Sequence, residues 1–302
     1  MQGGQPTIGL IGLGNMGVPM SACLLRAGYH VLGYDISATN AERFSAQKGA
    51  RRAAGIEDVG RACRIIILML PDGNVVREVV LGNDSKGGLA AVCAEGTVLV
   101  DMSSSAPTGT RELGEDLAKR GLTLIDAPVS GGVKRAVSGT LAIMAGGDKS
   151  AIAKVQPVLE AMGKPIETGP LGSGHAMKAL NNYVSAAGLV AACEALAVAE
   201  RFGIEPDTIV KVLNSSTGRN NSTENKLNQF IISRTFNAGF TVALMRKDLA
   251  TAVDLAKATN ATMPLADTLL ALWAEAEKRL GGAADHTEIH RLVADGQSSS
   301  EK

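Results

Sequence analysis

The sequence predicts an α/β fold, a doubly wound parallel sheet, followed by an all-α C-terminal domain. In the first half of the chain, short apolar runs alternate with helix-like stretches, which is typical of strand–helix–strand units. The runs are continuously apolar, as in parallel strands covered on both faces. Strand signals stop near residue 165, and the length of 302 residues fits two domains.

Six apolar runs are predicted as strands, and the first is followed at once by glycines. The spacing of the runs leaves room for a crossover helix between most neighbours. The predicted strands are Thr7–Ile11, His30–Tyr34 and residues 64–70, 96–100, 122–125 and 141–144.

Residues 164–174 contain two prolines and three glycines, which indicates a domain junction. Residues 175–202 are rich in Ala and Leu and end before Gly203, so they predict one long helix. Further helices are predicted at residues 206–213, 222–232, 243–258 and 264–280. The expected organisation is a first domain at residues 1–164, a helical domain at 165–296 and a disordered polar tail at 297–302.

The composition argues against several classes of partner. The formal net charge is zero and aromatic residues make up 3%, so neither nucleic acid nor an anionic membrane is expected as a partner. The four cysteines form no CxxC pair, which indicates a reducing compartment. Residues 1–5 lack the pattern of a secretion signal, and no apolar run of the sequence reaches membrane-spanning length, so we expect a cytoplasmic protein.

A GxGxxG run follows the first predicted strand and opens a predicted helix, which is the context of a Rossmann dinucleotide-binding loop. Gly12 permits the tight turn, Gly14 lets the backbone approach a pyrophosphate, and Gly17 allows close packing of helix on strand. Asn15 and Met16 complete the loop. The free N–H groups of the helix start then face the phosphates.

Asp35 ends the second predicted strand, at about the spacing where a carboxylate binds the ribose 2′-hydroxyl. A carboxylate repels a 2′-phosphate, and no arginine adjoins Asp35, so we expect NAD rather than NADP. FAD, which uses a similar loop, and an ordinary strand-end role for Asp35 stay open at this point.

Six motifs together resemble the β-hydroxyacid dehydrogenase family, which includes 3-hydroxyisobutyrate dehydrogenase and tartronate semialdehyde reductase. The resemblance runs from about residue 8 to about residue 293, in the order and spacing of the family. The motifs are IGLIGLGNMG (8–17), MLPD (69–72), DMSS (101–104), DAPVSGG (126–132), GSGHAMKALNN (172–182) and RKDL (246–249).

The resemblance implies a role for each matching residue. Lys178 matches the catalytic lysine, and Asn182 matches its partner one helical turn on. The residues implied to bind substrate are Ser130, Gly131, Gly132 and Phe240. The residues implied to line the cofactor, beyond the glycine loop and Asp35, are Leu70, Pro71, Ser104 and Lys247.

The chemistry of these residues fits those roles. A lysine can take the proton of an alcohol if a closed site and nearby positive charge lower its pKa. Lys178 and Asn182 are spaced to project from one face of a helix. The backbone at residues 130–132 lacks bulky side chains, so its N–H groups can converge on a carboxylate.

Simpler readings of the same residues stay open. A lysine near a helix start is usually solvated, Asn182 could be a packing residue, and residues 130–132 could form a plain turn. Lys247 and Asp248 could be a surface charge pair. The polar break at residues 215–222 is expected to be a solvated loop, although Arg219 there, like Lys134, could contact an anionic substrate.

His286 and His290 have the spacing of metal ligands on a helix, but no third ligand adjoins them. Asp285 followed by Glu288 instead predicts a capping box at the start of the last helix. We therefore expect no metal site.

Together these features predict an NAD-dependent oxidoreductase with its active site in a cleft between two domains. The substrate is expected to be a small anionic hydroxyacid or semialdehyde, and the assembly a homodimer or homotetramer. An NADPH-dependent aldehyde reductase and a non-catalytic nucleotide-sensing protein are the alternatives. The acid/base lysine at position 178 argues against the second of these.

Overall fold

The computed structural model describes residues 6–83 and 86–296. The predicted tail at residues 297–302 and the start at residues 1–5 lie outside the described residues. The chain divides into two compact units at the bond between Lys178 and Ala179.

The first unit contains a nine-stranded sheet and a separate two-stranded ribbon. The strands are β1 (Thr7–Ile11), β2 (His30–Tyr34), β3 (Ala50–Arg52), β4 (Ile65–Leu68), β5 (Gly82–Asn83), β6 (Lys86–Gly87), β7 (Val98–Asp101), β8 (Thr123–Asp126), β9 (Val129–Ser130), β10 (Leu141–Gly146) and β11 (Gly163–Gly169). The helices that follow these strands are α1 (Gly17–Arg26), α2 (Ala38–Ser45), α3 (Ile56–Ala62), α4 (Gly73–Leu81), α5 (Pro107–Ala118), α6 (Gly132–Ser138) and α7 (Lys149–Glu160).

The sheet order is β11-β10-β8-β7-β4-β1-β2-β3, with β9 paired to β10. The strands from β3 to β8 in this order are parallel, which confirms the predicted doubly wound sheet. However, β10 runs antiparallel to β8, so the sheet is mixed rather than wholly parallel. The chain passes from β8 to β10 through the short β9, which pairs antiparallel with β10, and then through α6.

The continuously apolar strands have a simple physical cause. Alternate residues of a strand face opposite sides of the sheet, and here both sides are covered. In β4, Ile65 and Ile67 belong to one core cluster, whereas Ile66 and Leu68 belong to the other. All four side chains are therefore buried, and the run has no polar position.

Two of the strands that escaped prediction, β3 and β11, lie at the sheet edges. β3 reads Ala-Arg-Arg, and β11 is largely exposed and contains Pro165, which an edge strand tolerates. The predicted junction at residues 164–174 thus includes most of β11, which pairs with β10. A functional domain boundary at residue 164 stays a prediction.

The second unit is helical over residues 179–296, as predicted. The long predicted helix is α8 (Ser173–Phe202). It is followed by α9 (Pro206–Ser215), α10 (Asn221–Asn225), a π-helical turn (Leu227–Ile232), α11 (Val242–Ala258), α12 (Ala266–Leu280), a 3₁₀ turn (His286–Glu288) and α13 (Ile289–Gly296). Their core surrounds the fully buried Trp273.

Among the described residues, α8 alone is long and apolar enough to cross a membrane by length and composition. Half of the most apolar 18-residue stretch of this helix is buried inside the protein. Leu189, Cys193 and Leu196 pack into the core of the second unit. This is the burial expected of the core helix of a soluble protein.

Candidate active site

The carboxyl ends of the parallel strands bring most of the predicted site segments of the first unit to one edge of the sheet. Ligands of open α/β sheets bind at this edge. The glycine loop follows β1, Asp35 follows β2, Leu70 and Pro71 follow β4, Ser104 follows β7, and the segment at residues 130–132 follows β8. The first-unit arrangement is therefore that of a dinucleotide-binding sheet.

The glycine loop has the backbone that its sequence predicts. Gly12 has a φ of +95°, and a Cβ there would lie 2.2 Å from the Met69 carbonyl oxygen. A Cβ at Gly17 would lie 2.0 Å from the carbonyl oxygen of Gly12, so α1 can start this close only from glycine. Gly14 faces open space, Asn15 is exposed and Met16 is half-buried. The loop thus leaves room for a ligand beside its backbone.

The Asp35 carboxylate is tied directly to this loop. Its Oδ2 atom accepts a hydrogen bond from the Leu13 amide at 2.6 Å, and Oδ1 accepts from the Ser37 amide at 2.7 Å. The half-buried carboxylate is therefore fixed beside the glycine turn, where a ribose bound at the loop would reach it.

The segments after β4 and β7 are joined by a hydrogen bond. The Leu70 amide donates to Ser103 Oγ at 2.9 Å. The buried Asp101 carboxylate accepts from the Ser103 amide at 2.9 Å and from Ser105 Oγ at 2.8 Å. Ser104, which stands between these two serines, is therefore held in a defined loop next to Leu70.

The segment at residues 130–132 leaves the sheet through β9. Ser130 pairs with Ala142 of β10, and Gly131 and Gly132 have φ values of +125° and +66°. Two consecutive positive φ angles turn the chain sharply into α6. A Cβ at Gly132 would meet nothing within 4 Å, so this backbone is accessible.

The start of α8, which contains Lys178, is attached to the sheet by Asp126. Its Oδ1 atom accepts from the Gly172 amide at 2.8 Å, and Oδ2 accepts from the His175 amide at 2.7 Å. Burial raises the pKa of the Asp126 carboxyl, although the nearby His175 and the two amide donors oppose this. Lys178 lies one turn beyond His175 and is half-buried.

In the second unit, Asn182 is buried and donates through Nδ2 to Asp248 Oδ2 at 2.6 Å. Lys247 Nζ lies 3.7 Å from the other oxygen of Asp248. Because Asp248 is only 2% exposed, this contact is not the surface charge pair considered above. The two matched residues Asn182 and Lys247 thus share one buried carboxylate.

Phe240 packs against the core of the second unit, and its ring meets His286 edge-on at 5.8 Å between centroids. The Phe240 carbonyl accepts from the His286 amide at 2.8 Å and lies 3.0 Å from Nδ1. Asp285 accepts from the Thr287 amide at 3.0 Å and so caps the 3₁₀ turn that leads into α13. Glu288 instead lies 2.8 Å from Arg291. His286 is therefore engaged in local packing.

The residues considered for a second anionic group differ in setting. Arg219 Nε lies 3.7 Å from Glu224, and both side chains are largely exposed. Lys134 is exposed on α6. The sequence predicted no site role for Asp101, Asp126, His175 or Asp248, although each stands inside a quoted motif.

Comparison with known proteins agrees with this arrangement. Residues 7–172 match the family model described as the NAD-binding domain of 6-phosphogluconate dehydrogenase. Residues 172–293 match the model described as NAD-binding of NADP-dependent 3-hydroxyisobutyrate dehydrogenase. Together the two models cover nearly all of the described chain.

Two of the similar proteins are hydroxyacid dehydrogenases. The 2-(hydroxymethyl)glutarate dehydrogenase of Eubacterium barkeri is 38% identical over 259 residues, 85% of each chain. The 3-hydroxyisobutyrate dehydrogenase of Pseudomonas aeruginosa is 37% identical over 295 residues, 94% of this chain and 97% of that protein. The chain belongs to the β-hydroxyacid dehydrogenase family.

A solved structure of this family supports the fold over both units. The 3-hydroxyisobutyrate dehydrogenase of Mycobacterium tuberculosis, determined with L-serine, has a TM-score of 0.87 and 34% identity. The match covers 96% of this chain and 99% of that one. The predicted resemblance is confirmed, and the protein is an NAD(P)-dependent hydroxyacid dehydrogenase.

Proposed function

We propose that the protein is an NAD-dependent dehydrogenase of small β-hydroxyacids of the 3-hydroxyisobutyrate type, with Lys178 as the general acid/base. The observation that supports this most directly is the hydrogen bond between Asn182 and Asp248. A buried asparagine one turn from Lys178, held by a buried carboxylate, is a costly arrangement in the core of a largely apolar helix. A site role explains it better than packing does.

In the oxidising direction, Lys178 takes the proton of the substrate hydroxyl. Bound NAD⁺ supplies the hydride acceptor. In the reducing direction Lys178 returns the proton to the carbonyl oxygen. Asn182 orients the lysine or the hydroxyl, because Asp248 fixes its amide. These roles need both a proton-accepting lysine and a rigid neighbour on the same helical face.

The substrate carboxylate binds to the backbone of Ser130, Gly131 and Gly132, and Phe240 contributes an apolar wall. The accessible backbone at Gly132 supports the first assignment. The glycine loop, Leu70, Pro71, Ser104 and Lys247 would hold the cofactor. The substrate is a small anionic hydroxyacid, or the corresponding semialdehyde in reduction, and the protein acts in the cytoplasm as a homodimer or homotetramer.

NAD is proposed over NADP because the Asp35 carboxylate is held beside the glycine loop, where it would repel a 2′-phosphate. The name of the second matching model refers to an NADP-dependent enzyme, which makes NADP the competing assignment. Rates with the two cofactors decide between them.

The test is cofactor reduction by the purified protein with a panel of hydroxyacids. The panel contains 3-hydroxyisobutyrate, 2-(hydroxymethyl)glutarate, L-serine and glycerate, each with NAD and with NADP. Lys178→Ala should bind NAD normally and lose turnover by at least about 10²-fold. Lys149→Ala, an exposed lysine at the start of α7, is the matched control and should behave as wild type. Turnover by Lys178→Ala close to wild type would refute the mechanism.

A further inference from the structure

A buried polar cluster at the carboxyl edge of the sheet has no role in the mechanism above. We call it the anchor cluster, and it consists of Asp101, Thr110, Asp126 and His175, all buried. Asp101 and Asp126 end the neighbouring strands β7 and β8 and are direct partners in the register of the sheet. Their two carboxylates therefore lie side by side in the interior, which is unfavourable unless each is well compensated.

Asp126 compensates its burial by capping α8 from a distance. The first N–H groups of a helix have no partner within the helix, and a side-chain oxygen usually satisfies them from the adjoining residue. Here both oxygens of Asp126 accept such N–H groups, from Gly172 and His175, at 2.8 and 2.7 Å. The first turn of α8 is thereby bonded to the end of β8.

Glycine allows this turn to approach the sheet closely. A Cβ at Gly174 would lie 2.1 Å from the Met144 carbonyl oxygen of β10. A Cβ at Gly146 would lie 2.8 Å from the Gly174 amide nitrogen. Backbone therefore packs on backbone here, and the turn has little freedom to shift.

His175 joins the remaining members of the anchor cluster. Its Nδ1 atom shares a 2.8 Å hydrogen bond with the Thr110 hydroxyl of α5 and lies 3.8 Å from Asp126 Oδ2. Its Nε2 atom lies 3.6 Å from Asp101 Oδ2. One fully buried ring thus contacts α5 and the ends of both β7 and β8.

Both contacted strands lead directly to a proposed site segment of the first unit. Asp101 also binds the Ser103 amide and the Ser105 hydroxyl, which flank Ser104. The chain runs from Asp126 through β9 to residues 130–132. His175 itself precedes Lys178 by one helical turn.

We propose that His175 is a positioning residue, which sets the place of Lys178 relative to the Ser104 loop and the segment at residues 130–132 through Asp101 and Asp126. This inference rests on the proposed function, since it assumes that Lys178 transfers the proton. His175 touches neither substrate nor cofactor in this role and acts through the first turn of α8. A displacement of about 1 Å in a reacting group can cost on the order of 100-fold in rate.

The test compares His175→Leu with His175→Gln in the full-length protein, using the best substrate of the panel. Leucine fills the space but cannot bind Thr110 or the carboxylates. Glutamine has an oxygen that can accept from Thr110 and an N–H that can donate to a carboxylate. The control is His30→Gln, an exposed histidine at the start of β2. Folding is monitored by circular dichroism and thermal melting, and NAD binding by fluorescence titration.

We expect His175→Leu to lower kcat by about 10- to 100-fold with NAD affinity changed less than about 3-fold. The deuterium isotope effect, measured with substrate labelled at the carbon that loses hydride, should increase because the chemical step becomes slower. The pH profile of kcat should also move. His175→Gln should restore kcat to within about 5-fold of wild type, since it can keep the hydrogen bond to Thr110 and place an N–H beside a carboxylate.

The outcomes separate the two proposals. Turnover retained by Lys178→Ala overturns the proposed function and this inference with it. If Lys178→Ala is inactive but His175→Leu keeps the wild-type kcat, isotope effect and pH profile, only the positioning role of His175 is refuted. A fall in kcat that matches the loss of folded protein, with an unchanged isotope effect, also refutes it. If His175→Leu does not fold, Asp101→Asn replaces it in the test. We then expect a several-fold fall in kcat and a larger isotope effect. An unchanged isotope effect would contradict the proposal.

Discussion

Asn182 of α8 and Asp248 of α11 are joined by a 2.6 Å hydrogen bond between two buried side chains. The bond links residues that are far apart in sequence and ties α8 to α11 within the second unit. A hydrogen bond to a charged group in the interior contributes more than one between neutral groups, about 1.5–3 kcal/mol. The bond therefore fixes the Asn182 side chain in place, as its proposed role beside Lys178 requires.

Replacing Asp248 with Asn should weaken this bond without changing the size of the side chain. We expect the free energy of unfolding to fall by about 1.5–3 kcal/mol and kcat to fall by about 10-fold, since Asn182 loses its fixed orientation. Denaturant titration and steady-state kinetics measure the two effects. Asp254→Asn makes the same change at an exposed position of α11 and should alter neither quantity.

Asn182→Ala removes the donor of the same hydrogen bond and leaves the contact between Lys247 and Asp248 in place. It should lower kcat at least as much as Asp248→Asn, with little change in the dissociation constant of NAD. Wild-type kcat in both variants would show that Asn182 only packs.

Asp35→Ala should reduce the preference for NAD over NADP. The substitution removes the carboxylate that is bonded to the Leu13 amide and would repel a 2′-phosphate. We expect the ratio of kcat/KM for NAD to that for NADP to fall by about 10-fold or more, which is on the order of 1.4 kcal/mol. Asp148→Ala removes a helix-capping carboxylate of α7 and is the control. An unchanged ratio would contradict the ribose assignment.

The sequence predicted those features that depend on residues adjacent along the chain. The run Ile65–Leu68 predicts a buried strand by itself, and the glycines of residues 12–17 predict a turn whose backbone admits no side chain at Gly12. The anchor cluster could not be predicted in this way. Asp126 bonds amides 46 and 49 residues further along the chain, and which residues meet there depends on the order of strands in the sheet. Its one sequence signal is that Asp101 and Asp126 each end an apolar strand.

Edge strands and long-range side-chain pairs could not be predicted from the sequence, and the physical reason is the same for both. β11 lies at the edge of the sheet, so only part of it is buried and its sequence shows no apolar run. The bond between Asn182 and Asp248 spans 66 residues, and nothing local to RKDL shows that its aspartate is buried. The local sequence pattern predicts secondary-structure elements, whereas the tertiary contacts of a residue depend on the topology of the fold.

Asp285 should stabilise the second unit at neutral pH and lose this effect in acid. Burial opposes its ionisation, but hydrogen bonds from His286, Thr287 and the Gly239 amide outweigh burial and lower the pKa of Asp285 well below its ordinary value of 3.8. The stabilisation is thus complete above the ordinary pKa and declines as pH falls below it. Asp285→Asn should cost about 1–3 kcal/mol at pH 7 and much less near pH 2, measured by urea unfolding. A cost that is independent of pH would disprove the assignment.

Lys226 should have the opposite dependence, at alkaline pH. Burial lowers the pKa of Lys226 from 10.5 to about 8, although Asp285 and Cys193 oppose this, and its Nζ lies 3.4 Å from Ser185 Oγ. Because the unfolded chain binds the proton more tightly, the charged lysine destabilises the fold below about pH 8, and stability rises as pH increases from 8 to 10.5. Lys226→Met should therefore be more stable than wild type at pH 7, on the order of 2–3 kcal/mol, with the difference vanishing near pH 10.5. Urea unfolding of both proteins from pH 7 to 10.5 measures this, with the exposed Lys257→Met as the control. If Lys226→Met is less stable than wild type at pH 7, the attraction between Lys226 and Asp285 exceeds the cost of burial, and the expected sign is wrong.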